Sequence, residues 1–147
     1  MIRILYVIEN SFYGGGERNF AQLINGLDKS KYEIFVATIP EGRFFEDIKN
    51  FAQIIPFDLK QQLQLSNIKK LANIINNGFV VIQTQDIRID GYIEPLAQKI
   101  VDKLKHDNLW LKEIVVVTQE DNISNSINSI EYLKIVHQYL LIYDVRK

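Results

Sequence analysis

The chain has 147 residues, with 17 basic against 18 acidic side chains for a formal net charge of −1, and no cysteine. That length suits one domain able to bury its own core, and the charge balance argues against a chain-wide footprint for nucleic acid. The missing thiols exclude disulfides, thiolate catalysis and cysteine-based zinc sites, and accord with a reducing compartment.

The opening MIRILYVIEN reads as a buried strand over residues 2–8, since its apolar run is short, is cut by Glu9 and has no cleavage site behind it. No later stretch approaches the roughly 20 apolar residues of a membrane helix. The expected location is the cytoplasm, with peripheral contact at the inner membrane face left open. After YGGGERN, Phe20, Leu23, Ile24 and Leu27 recur at helical spacing and leave Arg18, Gln22 and Asn25 on the opposite side. Further strands are expected at residues 32–38, 53–56, 80–84, 113–118 and 140–143. A short helix is expected at 44–51, and another behind the N-cap Ser66, carrying Ile68, Leu71 and Ile75 and ending near Asn76, Asn77 and Gly78. A helix at 91–104 carries the stripe Ile93, Leu96, Ala97, Ile100, Val101 and Leu104, and a last helix covers about 127–139.

The strands rarely alternate in polarity, and helical patterns separate them. That combination predicts an α/β fold, a Rossmann-like doubly wound parallel sheet of about six strands with helices on both faces. Right-handed crossovers leave little freedom in the topology. With no repeat, low-complexity tract or linker, residues 1–147 read as a single domain.

Gly14, Gly15 and Gly16 lie at the first strand-to-helix junction and cost backbone entropy on folding. There they aim bare N–H groups and the positive end of a helix dipole at one point, which suits a phosphate or another anion. A tight turn with no ligand is the plainer alternative. The dinucleotide fingerprint G-x-G-x-x-G fits in part: Gly14 and Gly16 match, but Asn19 takes the third glycine position and residues 9–13 separate strand from loop. In that reading Glu41, after the second strand, is the residue offered to a ribose. A P-loop is excluded because no Gly-Lys-Ser/Thr follows.

The succession RILYVIEN, GGGERNFAQLINGLD and YEIFVATIPEGRFFEDIK resembles the opening of the N-terminal domain of GT-B fold glycosyltransferases, specifically the retaining family 4 group. IQTQDIRIDGYIEPLA at residues 82–97 is similar to that family's H-T-H-D-x-R segment, and IVVVTQEDN at 114–122 to its V-x-T-x-H-D strand end. The resemblance implies the acceptor-side half of a two-domain enzyme that moves a sugar from a nucleotide sugar. Its partners would be a C-terminal nucleotide-binding domain, on the same chain or a separate polypeptide, and a sugar or glycolipid acceptor. No metal, cofactor beyond the donor, or nucleic acid is implied. The half-enzyme alone would be inactive. A stand-alone or split-enzyme binding subunit and an NAD(P)-type dinucleotide-binding domain are the alternatives.

By the same resemblance Gly14, Gly15 and Gly16 line the cleft, Glu17 and Arg18 stand at the helix start, and Gln85, Asp86 and Arg88 meet a ligand beyond strand four. Each has a plainer role as well: dipole complement for Glu17, surface charge for Arg18 and Arg88, helix capping for Asp86. The family's histidines are replaced by Gln83 and Gln85, which hydrogen-bond but do not titrate. Glu120 aligns with the acceptor-contacting histidine and is the candidate base, with Asp121 beside it; the alternative is a pair of solvated loop acids. His106 and His137, the two histidines, read as a helix-end residue and a packed or partly exposed helical one, and Trp110 as a packing residue.

Overall fold

A computed structural model of the chain describes residues 1–8, 13–57, 71, 73–75, 77–105, 107–118 and 137–146. In chain order the elements are β1 (Ile2–Val7), α1 (Gly15–Gly26), β2 (Tyr32–Thr38), α2 (Gly42–Ile48), β3 (Gln53–Pro56), β4 (Gly78–Thr84), β5 (Ile87–Ile89), β6 (Tyr92–Glu94), α3 (Leu96–Lys103), β7 (Leu109–Thr118) and β8 (His137–Val145). Six strands form one sheet in the order β3-β2-β1-β4-β8-β7, and β5 and β6 form a separate hairpin. The pairs β1–β2, β2–β3 and β1–β4 are parallel. This is the expected α/β, Rossmann-like architecture.

Both faces of the sheet are covered, which is why its central strands carry continuous apolar runs. On one face Phe20, Ala21 and Ile24 of α1 and Phe44 and Ile48 of α2 pack on Ile4, Tyr6, Val36 and Val81. On the other, Ala97 and Leu104 join Leu71 and Ile75, the latter pair in helical backbone, over Leu5, Val7, Val80, Ile82 and Leu141. Each fully buried side chain of this size contributes roughly 1.5–3 kcal/mol, so the two layers supply the stability that cysteine-free chemistry cannot. Gly78 opens β4 where a Cβ would lie 2.2 Å from the Arg3 carbonyl oxygen, so only bare backbone lets β4 seat on β1.

Four expectations need correction. The sheet is not wholly parallel: β8 is antiparallel to both β4 and β7, so β7 runs with β4 and β8 is inserted between them. Residues 137–139, expected at the end of a helix, begin β8; the rest of that expected helix, 127–136, lies outside the described residues. The strand is favoured because Leu141, Tyr143 and Val145 alternate into the core, a period of two. The helix expected over 91–104 starts only at Leu96, because Asp90 and Gly91 take φ of 49° and 85° and close a two-residue hairpin in which Ile89 pairs with Tyr92. Asp-Gly is a strong hairpin signal, and Pro95 keeps Glu94 out of the helical region. Ile93, assigned to the helix stripe, is therefore an exposed strand residue.

Trp110 lies inside β7 and is 58% exposed, not packed. β7 is one edge of the sheet, with a register shift between Leu111 and Glu113 that disrupts the ladder as edge bulges do. Among the described residues no helix is long and apolar enough to cross a membrane.

Candidate functional site at the carboxyl ends of β1 and β4

The chain lays down β1, β2 and β3 in one direction and then places β4 on the opposite side of β1. Such a reversal opens a crevice outside the carboxyl ends of the two central strands, where open α/β sheets take ligands. The first turn of α1 forms one wall. Because β8 runs antiparallel, its first residues come alongside the end of β4, with Tyr139 opposite Thr84 and Leu140 opposite Gln83.

The glycine loop differs from a ligand cradle in one respect. Gly14 is the extended N-cap of α1, with φ −108°, and Gly15 and Gly16 form its first turn. A Cβ on Gly16 would lie 2.7 Å from both polar atoms of the Gln138 side chain and 3.0 Å from Gln83 Nε2. The bare backbone at Gly16 is thus approached by the chain's own glutamines, which are joined by a 2.9 Å hydrogen bond from Gln83 Nε2 to Gln138 Oε1. Gln83 Oε1 is buried with no hydrogen-bond partner among the described residues.

Glu17 turns back and accepts a 2.9 Å hydrogen bond from the Gly14 amide, capping its own helix. Arg18 and Arg43 lie 5.9 and 4.8 Å from the centroid of the Tyr13 ring, while the Tyr13 hydroxyl donates to the Asp47 carboxylate. These contacts tie the entry of α1 to α2.

Across the crevice stands a polar trio. Asp86 follows β4, and its side chain is 13% exposed. Oδ1 accepts from the Ala97 amide and Oδ2 from the Tyr139 hydroxyl, both at 3.4 Å. The Tyr139 hydroxyl also lies 2.9 Å from His137 Nε2, and that nitrogen is 3.9 Å from Asp86 Oδ2. Desolvation, and then the neighbouring Asp86 charge, raise the Tyr139 pKa above its ordinary value, so the phenol stays a proton donor at neutral pH. Asp86 therefore does cap a helix, as its plainer role required, but it also joins the histidine.

Arg88 donates from Nη1 to the Gly91 carbonyl at 2.7 Å and fastens the β5–β6 turn. Gln85 is exposed between β4 and β5. Glu120, Asp121 and His106 lie outside the described residues. His137 was missed as a site residue because its neighbours in the trio, apart from Tyr139, are distant in sequence; only the antiparallel course of β8 brings it to Asp86. Among the described residues no group of three or more His, Cys, Asp or Glu is placed to hold a metal ion.

No family model matches the chain, and no curated protein matches its sequence. In three dimensions it is similar to a structure from Thermoplasma acidophilum provisionally assigned as a methyltransferase. That match has a TM-score of 0.55 and 9% identity, and covers 99% of this chain and 69% of the other. A Thermus thermophilus structure provisionally assigned as a DNA modification methylase matches at TM-score 0.44 and 11% identity, over 99% of this chain and 54% of the other. The second likeness is too low to carry an argument, and the first is one of fold.

The solved-structure match overturns the glycosyltransferase assignment. The GT-B, family 4-like and nucleotide-sugar readings fall with it, and the dinucleotide-binding alternative gains no support from it. The motifs that carried the resemblance have structural work of their own here: Gly16 admits Gln138, Glu17 caps α1, Asp86 caps α3 and Arg88 holds a hairpin turn.

Proposed function

We propose that this chain is a Rossmann-like methyl-transfer domain that binds a sulfonium methyl donor in the crevice over β1 and β4. One observation carries the reading: the switch-point crevice has a helix N-terminus on one wall and the Asp86–Tyr139–His137 trio on the other. The fold it shares with the Thermoplasma protein supports it.

The chemistry asks for little. A nucleophile's lone pair attacks the methyl carbon, the carbon–sulfur pair returns to sulfur, and a neutral thioether leaves. The nucleophile's proton must go to a base, and the partly exposed His137 is placed to take it, oriented by the Tyr139 hydroxyl and Asp86. The first-turn amides of α1 and the dipole behind them suit the donor's carboxylate. The donor enters as a co-substrate, and no metal is needed.

Calorimetric titration with S-adenosylmethionine tests the reading. A ligand at about 100 times its dissociation constant stabilises the native state by roughly 2.7 kcal/mol, which raises the melting midpoint of a domain this size by several degrees. The reading expects measurable heat and that upward shift. Neither effect at millimolar donor would overturn it.

A further inference from the structure

Beside the crevice, on the face covered by α3, lies a groove of about 320 Å³ between α3 and the β7–β8 ribbon. It exists because α3 seats on β8 without reaching the sheet edge: Ala97 and Leu104 are buried, while Ile114 of β7 remains 48% exposed. Its walls are Val101, Ile114 and Leu141, with Pro95 and Ala97 above, and its only acidic lining residue among those described is Asp86.

That carboxylate is loosely held, with His137 Nε2 3.9 Å from its Oδ2. An ionised carboxylate offers about four acceptor positions, whereas the two hydrogen bonds Asp86 receives from described residues are both 3.4 Å long, beyond the usual range of about 2.7–3.2 Å. No lysine or arginine is among the groove's described lining residues. An apolar slot bordered by a largely buried carboxylate with long hydrogen bonds is complementary to an apolar body with a cationic hydrogen-bond donor at one end.

We propose that this groove binds a small apolar or aromatic primary amine, with its ammonium on Asp86 and its hydrocarbon along Val101, Ile114 and Leu141. The volume is at the small end of the roughly 300–1,000 Å³ typical of ligand sites, and a single ring on a short chain fits within it. As a binding site the groove stands on its own geometry; as the place of the methyl acceptor it rests on the methyl-transfer reading. In that role the ammonium first gives a proton to the His137 imidazole. The freed amine then attacks the donor methyl, and the thioether leaves with the former carbon–sulfur pair.

The probe is 2-phenylethylamine, titrated into the full chain without methyl donor, with 3-phenylpropionate as its anionic counterpart. The expected result is binding of the amine and not of the carboxylate, with shifts in the methyl resonances of Val101, Ile114 and Leu141. Asp86→Asn should weaken the amine about 10- to 100-fold, as loss of a hydrogen bond to a charged group implies. Equal affinity for both probes, or unmoved groove methyls in the unsubstituted chain, would overturn the proposal, and the second readout needs no variant to fold. Amine binding in a chain that ignores S-adenosylmethionine would uphold this site and defeat methyl transfer; donor binding with an empty groove would do the reverse.

Discussion

At the scale of single residues, the glycines separate by what a side chain would meet. At Gly78 a Cβ would fall 2.2 Å from backbone and 2.7 Å from Ile75 Cγ2, so Gly78→Ala must push β4 off β1 and should cost several kcal/mol. Gly26, in the last turn of α1, has nothing within 4 Å of that position, and Gly26→Ala should gain up to about 1 kcal/mol from helix propensity. Urea denaturation of both variants checks the pair; equal midpoints would contradict the packing described. The sequence marked the triple glycine as a place where something approaches the backbone. It did not show what, because Gln138 is distant in sequence and reaches Gly16 only through the strand pairing of β8 with β4. Asp86 was readable at the end of β4 for the same reason that its partner His137 was not: one follows its strand directly, the other depends on a distant register.

At the scale of elements, local chemistry outranked periodicity where the two competed. Ile93, Leu96, Ala97 and Ile100 form a good helical stripe, yet Asp90-Gly91 and Pro95 cut it into a hairpin and a shorter helix. All three signals were present in the sequence, and the dipeptide and the proline were the more specific. Gly91, with φ 85°, is a position where a β-branched side chain is strained. The hairpin carries exposed Ile87, Ile89, Tyr92 and Ile93 and no residue of either main core cluster. Gly91→Val should therefore open the hairpin locally, with faster amide exchange at residues 87–94, while the global unfolding midpoint moves little. A large loss of global stability would show that the hairpin is part of the cooperative core. In β8 the competition ran between a helical run ending near residue 139 and the alternation of Leu141, Tyr143 and Val145, and alternation won from His137 onward.

At the scale of the whole molecule, the fold class was readable because strands buried on both faces leave continuous apolar runs that helices interrupt. The direction of β8 was not, since it depends on a connection through residues 119–136 whose composition fits more than one route. The two-layered core also sets the alkaline limit. Burial pushes both Tyr6 and Tyr143 up to about 12, on opposite faces of the sheet. Their native pKa values lie above the unfolded value near 10, so the stability they confer is whole below about pH 10. Above it the unfolded chain releases protons that the native state keeps, and stability falls as pH rises through the native values. At about 1.4 kcal/mol per unit for each tyrosine, the pair loses on the order of 5 kcal/mol by about pH 12. Urea midpoints should be level up to about pH 10 and fall beyond it, with Tyr6→Phe removing about half of the slope; a level profile to about pH 12 would contradict the burial.

Mapping the proposed methyl donor onto the crevice over β1 and β4 is the decisive measurement. Amide resonances of the full chain, recorded during titration with S-adenosylmethionine, should shift at Gly14, Gly15 and Gly16 on one wall and at Gln83, Asp86 and Tyr139 on the other. Those of β3 and the far ends of α1 and α2 should stay in place. Shifts confined to another surface, or none at saturating donor, would contradict the crevice as a methyl-donor site.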